Sequence, residues 1–274
     1  MSPRVSVVAP VYNEAGVLHE LARRCLAAAR RVDPEAEVVL ADDASTDATQ
    51  ELSRSLPAGV RVVRLPTNRG QLGATKAGLA AALGEIVVVL DGDLQDPPER
   101  IPHLVAALEA QPELDGLLAV KVSRRDPLWF RLGRAGYALL QRAPGARRVP
   151  SGAGAYCALR RATARRVAAC GVEQANLAPL LVALDARLDV LPYVKTGRYD
   201  GHSRVGLAGL VREALGSLAL TGALAAAAGW LAALLALLGL GRRRAGPVVL
   251  AALLLGAARA ATRRARRALD PSRR

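Results

Sequence analysis

From Val5 to Val194, short runs of β-branched and aliphatic residues alternate with stretches whose apolar positions recur at helical spacing. Val5–Ala9 reads as a first strand, stopped by Pro10, and a helix is expected from about Ala15 to Arg31 with Val17, Leu18, Leu21 and Leu26 on its inner face. Glu37–Ala41 and Val60–Leu65 are the next two strands. Asn68-Arg69-Gly70-Gln71 opens a helix that runs to about Leu83, with Gly84 as its expected C-cap. Val87-Val88-Val89-Leu90 follows, then a helix over Ile101–Ala110 and strands near Gly116–Val122 and Val190–Val194. Uninterrupted apolar runs are the mark of parallel strands buried on both faces. Strands that alternate with helices at this spacing predict βαβ units, hence an α/β fold with a doubly wound, mostly parallel sheet.

The pattern changes after Arg204. Leu215–Leu240 carries no charge over 26 residues, and at 1.5 Å per residue a helix of that length covers roughly 39 Å, more than the ~30 Å hydrocarbon core. A second apolar stretch, Ala245–Ala261, holds only Arg259, placed near its end where it can snorkel. If both stretches span a membrane, Arg263, Arg264, Arg266, Arg267, Arg273 and Arg274 return to the side of the N-terminal region, leaving Arg242–Arg244 across the bilayer. The positive-inside bias therefore favours a transmembrane helical hairpin, with the N-terminal region cytoplasmic at the cell membrane. The expected organisation is a domain over 1–205, a membrane region over 206–262 with spans near 215–240 and 245–261, and a basic tail over 263–274.

A net charge of +14 invites a nucleic-acid reading, but aromatics are only 3% of the chain and the arginines crowd round the apolar stretches. Stacking platforms for bases are thus scarce, and anionic lipid accounts for the same charge. Leu128–Arg142 mixes Trp129, Phe130 and leucines with Arg131, Arg134 and Arg142; an ordinary surface helix and a helix at the membrane interface fit it equally. Cys25, Cys157 and Cys170 are too widely spaced for a metal or disulfide framework. Arg4–Pro10 is too short and strand-like to be expected as a secretory signal. Ser151–Tyr156 is expected to be a mobile loop.

The candidate chemistry lies where apolar runs end in acids. Val87–Leu90 stops at Asp91-Gly92-Asp93-Leu94-Gln95-Asp96-Pro97-Pro98-Glu99, and Glu37–Ala41 stops at Asp42-Asp43-Ala44-Ser45-Thr46-Asp47-Ala48-Thr49. Ligands of open α/β sheets bind beyond the carboxyl ends of the strands. Hard cations take oxygen ligands, and Mg²⁺ commonly pairs one or two carboxylates with substrate phosphates. A solvated acidic turn is the plain alternative; the preceding strand and the Leu-Gln-Asp-Pro-Pro-Glu continuation favour metal and diphosphate. Ser45 or Thr46 is expected to cap the following helix.

Across Val5–Arg204 the chain resembles the family 2 glycosyltransferases, in the branch like dolichol-phosphate mannose synthase and the bacterial polyprenyl-phosphate glycosyltransferases. The resemblance rests on Pro10-Val11-Tyr12-Asn13-Glu14, the Asp42–Thr49 run, Asn68-Arg69-Gly70 and Asp91–Glu99. It implies a GT-A (Rossmann-like) catalytic domain that moves a sugar from a UDP- or GDP-sugar to a polyprenyl phosphate, inverting the anomeric carbon. It implies that Pro10, Tyr12, Glu14, Asp42 and Asp43 hold the nucleotide, and that Asp91, Asp93 and Gln95 hold Mg²⁺ or Mn²⁺, with Asp91 and Asp93 the catalytic acids. Lys121, Arg124, Arg131, Arg198, Ser203 and Arg204 stand where the branch holds the acceptor phosphate. Membrane lipid is the further partner, nucleic acid is not, and homo-oligomerisation is left open.

The chain also departs from the pattern. Ala44 replaces a usual Gly, Lys121 a usual Arg, and Arg204 a usual Lys. Ala155 stands where relatives carry an Asp after the Ser-Gly loop. A phosphate acceptor is already an anion and needs no strong base, so a lipid-phosphate reaction tolerates Ala155 better than deprotonation of a hydroxyl. The alternatives are transfer to a sugar or protein acceptor, and a degenerate, non-catalytic membrane scaffold.

Overall fold

The computed structural model describes residues 3–122, 147–173, 175–194, 207–223, 225–228 and 245–269. The chain divides into two compact units, one of Met1–Arg124, Gly152–Ala169 and Ala186–Arg204, the other of Arg125–Ser151, Cys170–Asp185 and Val205–Arg274.

The first unit is a seven-stranded sheet: β1 (Val5–Val11), β2 (Glu37–Asp42), β3 (Val60–Arg64), β4 (Ile86–Val89), β5 (Gly116–Lys121), β6 (Ala153–Arg160) and β7 (Leu188–Tyr193), in the order β3-β2-β1-β4-β6-β5-β7. β1 pairs in parallel with β2 and β4, β2 with β3, and β5 with β7. Only β6 runs the other way, antiparallel to β4 and β5. The apolar runs therefore became parallel strands as their pattern predicts, since every residue of β1, β2 and β4 is buried. The helices are α1 (Leu18–Arg30), α2 (Thr49–Leu52), α3 (Gly70–Ala81), α4 (Ile101–Glu109) and α5 (Arg161–Ala169). α1 and α4 pack together over one face of the sheet, joining Val5, Val7, Val38, Leu40, Val88 and Leu90 in a single core. α3 packs with α5 and lies on the other face. There a β-carbon on Gly78 would stand only 2.4 Å from Cγ1 of Val8, so the helix sits close to the strand.

Two sequence expectations change here. The Ser151–Tyr156 stretch is no free loop, because Ala153 onward forms β6 inside the sheet. α3 stops at Ala81, and Gly84 is not its left-handed cap. Gly84 is needed for close approach: a β-carbon there would lie 2.4 Å from the Ser6 nitrogen. Its N–H donates to Ser6 Oγ (2.7 Å), Ser6 Oγ donates to Glu37 Oε1 (2.7 Å), and Arg61 closes the group on Glu37 Oε2 at 2.6 Å. Gly84→Ala should accordingly lower stability by about 1–3 kcal/mol, as forced overpacking does, read as a lower urea midpoint with an unchanged slope.

Part of the arginine excess is structural. Arg160 caps α4, donating to the carbonyls of Leu114 (2.8 Å), Leu108 (3.0 Å) and Gln111 (3.1 Å). Arg161 donates to Leu83 and Gly84, and Arg165 to Ala80 and Ala82, around the C-terminal end of α3. Carbonyls left over at helix C-termini are good acceptors for cationic donors.

The second unit contains α6 (Leu177–Ala183), α7 (Leu207–Leu220) and α8 (Ala245–Arg267). Arg147 caps the end of α6, donating to the carbonyls of Val182 and Ala183 at 3.1 Å and pairing with Asp185 at 2.5 Å. The single helix expected over 215–240 is interrupted: α7 ends at Leu220, and Gly222 takes the left-handed conformation (φ +76°) that stops it. Residues 229–244 of that stretch lie outside the described residues. α8 runs on to Arg267, past the expected Ala261, and so carries five arginines. Among the described residues no helix is long and apolar enough to cross a membrane.

Candidate active site

The strand order places the carboxyl ends of β2, β1 and β4 side by side, so the loops after Asp42, Val11 and Val89 emerge at one edge. The first two loops are locked together. Asn13, at φ +55°, uses its side-chain carbonyl to accept the N–H groups of Thr46 (2.8 Å) and Asp47 (3.3 Å). Its own N–H donates to Ser45 Oγ (2.9 Å), and that of Glu14 to Thr49 Oγ1 (2.9 Å). Ser45 and Thr49 thus serve the loop, and the cap position of α2 falls on Ala48, so neither Ser45 nor Thr46 is the expected helix cap. Asn13 was not singled out from sequence, although Asn is the residue that best tolerates a left-handed turn.

Within this clamp Pro10, Asp42 and Asp43 are buried, while Tyr12 and Glu14 are half-buried. Asp42 is committed internally, accepting Ser45 N–H on Oδ1 (2.9 Å) and Arg64 Nη1 on Oδ2 (2.7 Å). Asp43 Oδ1 accepts the Arg69 N–H at 2.7 Å, which ties the β2 loop to the start of α3. Burial raises its carboxyl above the usual range, against the lowering pull of the Arg69 and Gly70 N–H groups. Ala44 sits between these acids and Ser45 at φ +62°, a conformation an L side chain adopts at a cost. Ala44→Gly is therefore expected to stabilise the protein by about 1 kcal/mol, measured as a raised denaturant midpoint.

The acidic stretch leaves the sheet at Val89, and its exposure then alternates. Gly92, Leu94 and Asp96 are buried, whereas Asp91, Asp93 and Gln95 are half-exposed. Leu94 fixes the turn, with its side chain in the core and its backbone left-handed at φ +58°. Gly92 lies against the β1 loop, its absent β-carbon only 2.5 Å from the Pro10 carbonyl oxygen. Asp93 Oδ1 accepts the Gln95 N–H at 3.1 Å, and Asp91 Oδ1 accepts Gln71 Nε2, from α3, at 2.6 Å.

This donor set fits a hard divalent cation. Among the described residues no group of three or more His, Cys, Asp or Glu is placed to hold a metal. Two carboxylates and an amide oxygen within about five residues of a turn are donors of the kind Mg²⁺ or Mn²⁺ takes when phosphate oxygens complete its shell.

Behind the turn Asp96 is completely buried; one oxygen accepts the Tyr193 hydroxyl, and the other has no hydrogen-bond partner among the described residues. Tyr156 meets Tyr193 edge-on with ring centroids 5.4 Å apart, and its hydroxyl donates to the Pro97 carbonyl (2.9 Å). Burial, then the Asp96 carboxylate, push both phenols above their ordinary value. The ends of β4, β6 and β7 are thereby joined beneath the acidic loop.

Lys121 ends β5, two strands from β4 in the sheet order, a lateral separation of about 10 Å. Its Nζ stands 3.7 Å from the position of a β-carbon on Gly154, so the ammonium lies over β6 near Ala155. Ala155 is a half-buried residue of β6, next to Tyr156. Arg124, Arg131, Arg198, Ser203 and Arg204, with Trp129 and Phe130, lie outside the described residues.

The sequence profile described as Glycosyl transferase family 2 matches residues 6–167. The chain is 36% identical over 218 residues to an undecaprenyl-phosphate 4-deoxy-4-formamido-L-arabinose transferase of Sodalis glossinidius (strain morsitans), covering 76% of this chain and 64% of that one. A protein of the same name from Pseudomonas paraeruginosa (strain DSM 24068 / PA7) is 44% identical over 131 residues, covering 46% and 38% of the two chains. The chain thus spans a little under two thirds of the length of the Sodalis relative. Among solved structures, glucosyl-3-phosphoglycerate synthase from Mycobacterium tuberculosis in complex with Mn²⁺, UDP and glucosyl-3-phosphoglycerate superposes with a TM-score of 0.53 at 21% identity, over 80% of each chain. The same synthase with Mn²⁺, UDP-glucose and phosphoglyceric acid gives a TM-score of 0.55 at 19% identity, over 80% of this chain and 78% of the other. Both share the fold.

Proposed function

The chain belongs to glycosyl transferase family 2, and from that premise we propose that it transfers a sugar from a nucleoside diphosphate sugar to a polyprenyl phosphate. The observation that carries the donor half is the convergence of the β1, β2 and β4 loops on one edge, with Asp91, Asp93 and Gln95 presented together. Asp91, Asp93 and Gln95 would hold Mg²⁺ or Mn²⁺, which when bound neutralises the charge that builds on a diphosphate leaving group. Tyr12, Glu14 and Asp43 would hold the nucleotide in this reading, which is supported by the clamp of Asn13 on Thr46 and Asp47 beside them. The acceptor half rests on the named relatives and on Lys121, a cation at the same edge of the sheet. Its ammonium orients an acceptor phosphate and offsets repulsion between acceptor and donor phosphates. An acceptor that is already an anion needs no carboxylate at Ala155 to take a proton from it. Attack opposite the leaving diphosphate inverts the anomeric carbon.

The C-terminal apolar stretches form a membrane hairpin in this reading, with the sheet unit on the cytoplasmic face. The charge pattern of the sequence supports it. Tags at the N-terminus and after Arg274 should both be shielded in intact cells; a C-terminal tag labelled from outside would remove the hairpin.

The deciding assay uses detergent-solubilised protein, polyprenyl phosphate and a panel of radiolabelled UDP- and GDP-sugars. A lipid-linked product that requires both the metal and the lipid phosphate is expected. Metal-dependent release of nucleoside diphosphate without lipid dependence would point to a sugar or protein acceptor. No release with any donor would point to a scaffold.

A further inference from the structure

We propose that Gln71 is a positioning residue for the metal centre: it sets the orientation of Asp91 and so the affinity of the site for a divalent cation. The inference rests on the metal reading above and goes beyond it to a residue of α3 outside the acidic stretch. Gln71 Nε2 donates to Asp91 Oδ1 at 2.6 Å, a short contact for an N–H donor. The two residues are 20 apart in sequence and belong to different βα units. Gln71 occupies the second position of α3, where Thr75 Oγ1 donates to its carbonyl at 2.8 Å. The helix is held in turn by Gly78 against Val8 and by the Asp43 bond to Arg69 N–H. The amide therefore approaches Asp91 from a fixed support rather than from a loose loop.

The residue type matters. A metal-ligating carboxylate is usually oriented by an outer hydrogen bond, and losing such a partner typically weakens metal affinity 10–100-fold. A lysine or arginine in that place would also orient Asp91, but its charge would oppose the cation. The neutral amide orients the carboxylate and leaves its charge for the metal.

The test is Mn²⁺ binding by electron paramagnetic resonance in the presence of UDP and, separately, GDP, on the full chain in detergent. Gln71→Met keeps length and helix preference but removes the donor; Gln71→Lys keeps a donor and adds charge; Asp93→Asn is the control for the site itself. Gln71→Met is expected to bind Mn²⁺ about 10–100-fold more weakly than the parent. Gln71→Lys should bind it more weakly still, and the metal-free melting temperature of both should stay within about 2 °C of the parent, as at a half-exposed surface position. In turnover, the Mn²⁺ concentration for half-maximal rate should rise while the rate at saturating Mn²⁺ recovers. If Gln71→Met and Gln71→Lys bind Mn²⁺ within twofold of the parent while Asp93→Asn does not, Gln71 has no positioning role and the metal site stands. If Asp93→Asn also binds like the parent, the metal assignment itself falls, and this inference with it. A melting temperature lowered in step with Mn²⁺ affinity would make the role structural and overturn the proposal.

Discussion

Replacing Asp93 by Asn should leave a folded protein that has lost roughly a thousandfold in sugar-transfer rate. The substitution removes one of two carboxylates from the proposed cation site. Losing about 4 kcal/mol of transition-state stabilisation corresponds to that factor, and metal-ion electrostatics supply several kcal/mol in such reactions. The fold should survive because Asp93 is half-exposed, and the bond to its Oδ1 is a local one from Gln95 N–H, which an Asn carbonyl can still accept. Turnover, Mn²⁺ affinity and the melting temperature measured on one preparation separate the two effects. Near-normal turnover at saturating Mg²⁺ or Mn²⁺ would refute the assignment.

The largest effect on stability is expected from Tyr193→Phe. Among the described residues the phenol hydroxyl is the one hydrogen-bond partner of a carboxylate that is 0% exposed, and Asp96 Oδ2 has none. Removing it strands a buried acceptor group at a cost of about 3 kcal/mol. Adding Asp96→Asn to the variant should restore part of the loss, because a buried amide is less costly to leave unpaired than a carboxylate. The pH dependence follows from the same contact. Both phenols are harder to ionise in the folded state than in the unfolded chain. Their contribution is complete below the ordinary tyrosine value of about 10 and is lost as pH rises above it. Equilibrium unfolding at pH 8 to 11 should show this decline, and Tyr193→Phe should flatten it. An equally steep decline in the variant would assign it to other groups.

The positions of the acids were legible in the sequence because they are local. Asp91 and Asp93 follow an apolar run that could only be a buried strand, and the strand does end at Val89, just before them. The same holds for Asp42 and Asp43 after β2. The sequence did not reveal what these acids bind within the chain. Asp42 meets Arg64 through the pairing of β2 with β3, and Asp91 meets Gln71 because α3 is pressed onto β1. Each is a contact between segments whose local patterns carry no mark of the other.

β6 shows where period and composition run out. Ser151-Gly152-Ala153-Gly154-Ala155 has the small residues of a flexible loop, and two glycines lower strand propensity. The antiparallel pairing with β4 on one side and β5 on the other nevertheless makes Ala153–Arg160 an internal strand, since a strand between two others has both rows of backbone groups satisfied. Tyr156 and Tyr193 thereby reach the buried face of the acidic loop. Hydrophobic period and residue type by themselves determined the parallel strands, the helices between them and the acids at their ends, because those depend on neighbours along the chain. Only the tertiary structure decided the antiparallel strand, the tyrosine pair under Asp96 and the amide on Asp91, because pairing register and helix placement are settled by contacts between distant segments.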